Sequence, residues 1–363
     1  MKQIRVREEE AGQRLDRLLS RYLKEAPKSF LYKMMRKKNI TLNGKKADGG
    51  EKVQAGDEIR VFLSDGTWEK FAGPVQAASA YPVTDLEILY EDAHILLVNK
   101  PAGMLAQKAK PEDVSLNEYV LGYLEQKGRW KEGAGDGTSP EPDCVNREGA
   151  SLEAARVNGE GASSETEKAV RVNYTFRPSV CNRLDRNTSG IVICGTSVAG
   201  LRKMSELLRD RNVHKYYQCL AAGRLTEEQR IRGYLQKDPG TNRVRVLAEE
   251  QKGAAPIETA YRPLRVFADC TLLEVLLVTG RSHQIRAHLA SVGHPIIGDY
   301  KYGDPKTNRD YRRRYGLSCQ LLHAGRLEFP VMDGLFSHLS GRVFTAEPPA
   351  RMQEILKDAE KRT

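Results

Sequence analysis

Asn182-Arg183-Leu184-Asp185-Arg186-Asn187-Thr188-Ser189-Gly190, running into the apolar segment Ile191-Val192-Ile193-Cys194, is the most informative stretch of this chain. It places one carboxylate in a polar turn between two arginines, just ahead of a strand-like run. Cations within ~4–6 Å favour the ionised form of an Asp, the form a carboxylate nucleophile needs near neutral pH. Asp185 is therefore the first candidate for chemistry, and the segments around it decide what kind.

Two further segments carry unusual polar groups next to strand patterns. The first is Lys215-Tyr216-Tyr217-Gln218-Cys219-Leu220-Ala221-Ala222-Gly223. The second is Thr279-Gly280-Arg281-Ser282-His283-Gln284-Ile285-Arg286-Ala287-His288-Leu289, continued by Gly293-His294-Pro295-Ile296-Ile297-Gly298-Asp299. It follows the strand-like run 272–278 and opens a helix, with Ser282 expected as its cap. Leu321-Leu322-His323-Ala324 closes the series. In order and spacing, these segments resemble the active-site motifs of the RluA family of pseudouridine synthases, over about 87–129 and 175–348. The resemblance implies Asp185 as nucleophile, Tyr217 rather than Tyr216 as the ring that stacks on the target uracil, and Arg286 as ion-pair partner of the Asp. It also implies that Arg183 fills the space a flipped nucleotide vacates, and it makes Arg281 a candidate phosphate contact. One residue departs from the pattern: the position three before the Asp is commonly His, and here it is Asn182.

The N-terminal region has its own character. Residues 1–64 hold 16 Lys/Arg against 9 Asp/Glu, the electrostatic footprint of a polyanion binder. Leu15, Leu18, Leu19, Tyr22 and Leu23 recur at helical spacing. A second helix is expected from Ser29 as N-cap, turning Leu31, Met34 and Met35 inward. Lys28, Lys33, Arg36, Lys37 and Lys38 lie on its other face and ends. Short strands follow: Ile40 to Leu42, an Asn43-Gly44 turn, and Asp57 to Leu63. Residues 13–63 thus resemble the S4 RNA-binding domain, whose basic helix would contact phosphates. Residues 64–84 read as a linker. The catalytic domain is expected over 85–350, beginning with paired strands at 88–92 and 95–100 closed by Pro101-Ala102-Gly103. Residues 130–170 hold 4 Lys/Arg against 9 Asp/Glu with almost no aromatics, and read as a flexible insertion.

The fold expected is α+β, an S4-like domain joined to a catalytic domain on a mixed, mostly antiparallel sheet. The expected activity is isomerisation of uridine to pseudouridine in RNA, most directly 23S rRNA or a ribosome-assembly intermediate. A transfer RNA substrate and a non-catalytic RNA-binding factor are the alternatives. No apolar run approaches the ~20 residues needed to span a bilayer, and the N-terminus lacks an apolar signal core, so a cytoplasmic protein is expected; a monomer is taken as the default. The six cysteines form no C-x-x-C pair, so free thiols rather than disulfides or a zinc site are expected. No cofactor, nucleotide or metal motif is present: no G-x-G-x-x-G follows a strand, and the i,i+5 spacing of His283 and His288 does not suit two ligands on one helix face. Ser189 lacks the G-x-S-x-G elbow of a hydrolase. Asp185 lacks the second carboxylate of a glycosidase pair.

Overall fold

The computed structural model describes residues 1–6, 10–72, 81–130, 176–238, 240–241 and 243–362. They fall into two compact units, one holding 1–72 with residues 130 and 176, the other 81–129 and 177–362.

In the first unit the elements run β1 (Lys2–Arg5), α1 (Leu15–Tyr22), α2 (Lys28–Arg36), β2 (Ile40–Leu42), β3 (Lys45–Lys46), β4 (Glu58–Val61) and α3 (Asp65–Ala72). The sheet order is β1-β4-β2-β3, with every pair antiparallel. The apolar stripe of α1 is buried as its spacing demands: Leu15, Leu18, Leu19 and Tyr22 enter the core with Leu31, Met34 and Met35 of α2. Each such side chain contributes roughly 2 kcal/mol. Asn43 and Gly44 both adopt positive φ (50° and 72°), the geometry a two-residue hairpin requires between β2 and β3. Lys28, Lys33, Arg36, Lys37 and Lys38 are all exposed.

Three expectations for this unit need correction. Ser29 is not an N-cap: the helix begins one residue earlier, at Lys28 behind Pro27, because the fixed φ of Pro27 (−58°) with extended ψ sets the entry. The unit is larger than 13–63, since β1 pairs along β4 from Lys2↔Val61 to Arg5↔Glu58. The linker does not begin at 64. Residues 65–72 form α3, anchored by Trp68, 5% exposed in the same core, and by Phe30 against Phe71.

The second unit contains β5 (Ile88–Glu91), β6 (Ile95–Lys100), α4 (Leu116–Gln126), β7 (Ser179–Val180), β8 (Ser189–Gly195), α5 (Val198–Arg209) and β9 (His214–Ala222). It continues through β10 (Gln229–Lys237), β11 (Val244–Leu247), β12 (Ala254–Val266), β13 (Cys270–Leu277), α6 (Gln284–Ser291), α7 (Pro305–Tyr315), β14 (Leu322–Glu328), β15 (Val343–Thr345) and α8 (Ala350–Lys361). One sheet of eleven strands runs β11-β10-β12-β13-β9-β14-β8-β6-β5, with β15 on β14 and β7 on β8. Its β14–β8 pair is parallel and the others antiparallel, so the sheet is mixed and mostly antiparallel. The unit also passes 350: α8 buries Met352, Ile355 and Ala359 against Tyr311 and Tyr315 of α7. The expected insertion at 130–170 lies, but for residue 130, outside the described residues, as does Cys144.

The strand order explains why the three polar segments meet. Adjacent β9, β14 and β8 bring the loop before β8 beside the middle of β9, and β13 delivers α6 next to them. Gly190 makes this closeness possible. Its φ is +117°, and a Cβ there would lie 2.3 Å from the Ala324 carbonyl oxygen, on backbone that cannot yield. Gly190→Ala should therefore cost about 3 kcal/mol or more, some 10 °C in Tm, as read by thermal unfolding.

Among the described residues no helix is long and apolar enough to cross a membrane. Cys181, Cys194, Cys219, Cys270 and Cys319 are free thiols.

Candidate active site

Asp185 sits in the loop between β7 and β8, its side chain 26% exposed. The loop is held from beneath. Lys100, fully buried at the end of β6, donates from Nζ to the carbonyls of Pro101 (2.9 Å), Met104 (2.9 Å) and Arg186 (3.2 Å). Burial pulls the Lys100 ammonium down to about 8 against the favourable charge of Asp185. Gly103 N–H donates to the Arg186 carbonyl at 2.8 Å, and Arg186 Nε donates back to the Gly103 carbonyl at 3.0 Å. The Pro-Ala-Gly turn and the Asp185 loop are thus laced together.

Asn182 serves the same loop: its Oδ1 accepts from Ile193 N at 2.7 Å and its Nδ2 donates to the Ile191 carbonyl at 3.4 Å. An amide supplies one acceptor and one donor to β8, so this departure from the family pattern leaves the loop fastened.

The cation beside Asp185 is neither of its sequence neighbours. Arg183 and Arg186 are both exposed, and Arg186 is spent on Gly103. Arg286, from the first turn of α6, donates from Nη1 to Asp185 Oδ2 at 2.8 Å. Its other two nitrogens face Asp299: Nε donates to Oδ2 at 2.7 Å and Nη2 to Oδ1 at 2.9 Å. A planar guanidinium is the group suited to bridge two carboxylates this way. Burial works against the Arg286 charge, but the bonds and charges of Asp299 and then Asp185 outweigh it and raise its pKa. Asp299 is fully buried; burial opposes its charge, yet Arg286 and the N–H groups of Lys301 and Tyr302 hold its pKa below the usual range. Nothing in the sequence marks Asp299, yet it is the residue that aims Arg286.

The register of β9 separates Tyr217 from Tyr216. The Tyr216 ring is covered by the Arg326 guanidinium 3.6 Å from its centroid. Tyr217 is buried, and burial followed by the charge of Asp185 raises its phenol pKa. Tyr217 is thus the ring in the electrostatic neighbourhood of Asp185.

The histidines take hydrogen-bonded positions. His323 Nδ1 meets Ser189 Oγ at 2.9 Å and its Nε2 meets the Ala346 carbonyl at 2.9 Å, both buried. His294 Nδ1 meets the Ala222 carbonyl at 2.9 Å. His283, at φ +57°, lies nearer the chemistry: its Nδ1 meets Tyr302 Oη at 2.9 Å and its Nε2 is 3.9 Å from Asp185 Oδ2. His283 also stands where Ser282 was expected, at the cap of α6. Gln284, the first residue of α6, fastens the loop before it: its Oε1 accepts from Thr279 Oγ1 (2.8 Å) and Arg281 N (3.1 Å). Arg281 itself is exposed beside the site. Among the described residues no group of three or more His, Cys, Asp or Glu could hold a metal ion.

His288 gives this region an acid sensitivity. Its Nδ1 meets Thr259 Oγ1 at 2.8 Å, while Nε2 is buried and has no partner among the described residues. Burial lowers its pKa from 6.5 to about 4. The unfolded chain takes up this proton near pH 6.5 and the folded chain only near 4, so protons favour unfolding between those values. Stability present above pH 6.5 should fall by about 2–3 kcal/mol as pH drops to 4. Urea unfolding at several pH values, compared with His288→Gln, should show that slope in the parent and a shallower one in the variant.

The comparisons with known proteins give the family. The profile of the family described as RNA pseudouridylate synthase matches residues 94–291, and that of the S4 domain matches 13–59. The chain is 30% identical over 328 residues to ribosomal large subunit pseudouridine synthase C of Vibrio cholerae, covering 90% of this chain and 88% of that one. It is 30% identical over 334 residues to the protein of the same name from Escherichia coli, covering 91% and 88%. Among solved structures it shares its fold with human RNA pseudouridylate synthase domain containing 4, at a TM-score of 0.52 and 16% identity over 76% of this chain and 93% of that one. With a matching profile across more than half its length and relatives aligned almost end to end, the chain belongs to the RNA pseudouridylate synthase family, an S4 domain preceding the synthase domain.

Proposed function

We propose that this RNA pseudouridine synthase isomerises uridine in large-subunit (23S) ribosomal RNA, with Asp185 as nucleophile, Arg286 as its ion-pair partner and Tyr217 as the platform for the loose base. The observation that carries the reading is the Arg286 bridge. One guanidinium joins Asp185 to buried Asp299, so a cation stands fixed at 2.8 Å from the candidate nucleophile before any substrate arrives. Such preorganisation is what a reacting carboxylate needs. The substrate class follows the ribosomal relatives named above together with the basic S4 unit, where Lys28, Lys33, Arg36, Lys37 and Lys38 are taken to meet phosphates without reading sequence. Arg183 and Arg281, both exposed, complete the proposed RNA contacts, Arg183 in the space left by the flipped nucleotide.

The isomerisation breaks the N1–C1′ bond, turns the uracil and forms C5–C1′. The C5 proton leaves to solvent and N1, freed from C1′, takes up one proton, so the atoms balance without redox or an energy source. Addition of the carboxylate at C1′ or C6, or removal of the C2′ proton, all require Asp185 at the same place. Asp185, Tyr217, Arg286 and Asp299 all come from one chain, in keeping with a monomer, and we place its work in the cytoplasm.

Release of tritium from RNA labelled at uridine C5 tests the proposal. The protein should release it from 23S rRNA lacking the modification. Release from transfer RNA alone would move the substrate, and no release from either would favour an RNA-binding factor.

A further inference from the structure

Next to the site, and used by none of the chemistry above, lies a cavity of about 200 Å³ lined in part by basic side chains. Its polar lining is Arg211, His214, Lys215 and Arg230, over a floor that includes Leu276 and Leu277. Two of these side chains have partners within the fold. Arg230 pairs with Glu258, and His214 lies 3.7 Å from Glu328. Arg211 and Lys215 have no hydrogen-bond or ion-pair partner among the described residues, although Lys215 is half-buried on a central strand of the sheet. Burial, then the like charge of Arg211, lowers the Lys215 pKa. A fold does not ordinarily leave an ammonium in such a position without an anion to meet it. Arg211, at φ +61°, sits just past the C-cap of α5, with Asn212 N–H donating back to the Leu207 carbonyl at 2.9 Å, so the helix end fixes where its side chain starts. Two unanswered positive charges thus meet at one pocket.

The pocket also has a defined place relative to Asp185. Lys215 and Tyr217 are alternate residues of β9, so they leave the same face about 7 Å apart. A Cβ at Gly280 would lie 3.7 Å from Lys215 Nζ, which sets the ammonium against the loop that goes on to Arg281, His283 and Arg286. A strand of RNA whose target base lies at Tyr217 would pass a backbone phosphate over this pocket.

We propose that this cavity is a phosphate subsite, in which Lys215 and Arg211 grip one phosphodiester of the RNA within about two nucleotides of the target uridine. The proposal rests on the synthase reading above and names a contact that reading does not contain. A cavity of 200 Å³ has room for a phosphodiester group with its attached oxygens, and its apolar floor would strengthen the charge interaction by excluding water.

The test is a methylphosphonate scan, in which single linkages of a short substrate RNA are made neutral and binding to the full-length protein is measured. In the parent, neutralising one linkage near the target should weaken binding about five- to tenfold. Lys215→Met, which keeps the apolar stem, should bind the unmodified RNA five- to tenfold more weakly. It should also lose all sensitivity at that one linkage, with the slope of log affinity against log salt shallower by about 0.7–0.9. Lys215→Arg should restore the linkage sensitivity, which a merely structural lysine would not require. If Lys215→Met and each methylphosphonate act additively at every linkage, the subsite does not exist. Tritium release by the parent on the same RNA is read separately: its absence would count against the synthase reading, while the binding scan still decides the subsite.

Discussion

Asp185→Asn should lower pseudouridine formation by on the order of 10⁴-fold or more while leaving folding and RNA binding intact. The amide keeps the shape of the carboxylate, and its oxygen can still accept from Arg286 Nη1, now 2.8 Å away. The negative charge is gone, and with it the nucleophile or base that every route to pseudouridine needs. Single-turnover tritium release, with circular dichroism and filter binding alongside, checks all three parts. Retained activity within tenfold of the parent would remove Asp185 from the chemistry.

The second large effect belongs to Arg286 and Asp299. Asp299→Ala removes a fully buried carboxylate that takes two hydrogen bonds from Arg286 and two from the backbone N–H groups of Lys301 and Tyr302. Breaking one side of a buried pair costs about 3–5 kcal/mol, because the partner stays behind in low dielectric. Arg286 would then be free to swing away from Asp185, so the surviving folded protein should also be slow, by about 100-fold. Arg286→Lys probes the same bridge with charge kept. A lysine cannot hold the forked contacts to two carboxylates, so the rate should drop by about 10²–10³-fold with a smaller loss of stability. Thermal unfolding read beside single-turnover rates separates the two effects. A fully active Arg286→Lys would mean that charge alone, and not the bridge, serves Asp185.

Much of this architecture was legible in the chain. Helical spacing located α1 and the buried side of α2, and the Asn43-Gly44 pair located the hairpin, because these are local patterns set by backbone geometry. The motif segments also placed Asp185, Tyr217 and Arg286 together, and the strand order β13-β9-β14-β8 brings them there. Long-range contacts outside the motifs are not legible. The arginines flanking Asp185 sit beside it in sequence, yet the turn leaves both exposed, and the ion pair is made by Arg286, the partner the motif resemblance implies, from 101 residues away. Asp299 gave no sign of its role, since a carboxylate after a glycine reads as a turn residue until Arg286 is seen against it. Lys100 likewise reads as a strand-end lysine, and only the fold turns its ammonium onto the Arg186 carbonyl. The helix at 65–72 was hidden because one buried tryptophan in a segment leading into Gly73-Pro74 makes a weak pattern. Neither expected serine cap is present: α2 starts behind Pro27 and α6 behind His283 in a left-handed conformation, both without a side-chain cap hydrogen bond.

The most direct measurement is pseudouridine mapping of ribosomal and transfer RNA from cells lacking this protein, complemented with the parent or with Asp185→Asn. The account predicts that specific uridines of 23S rRNA lose the modification and regain it with the parent alone. Unchanged maps in both RNA pools, or equal restoration by Asp185→Asn, would contradict it.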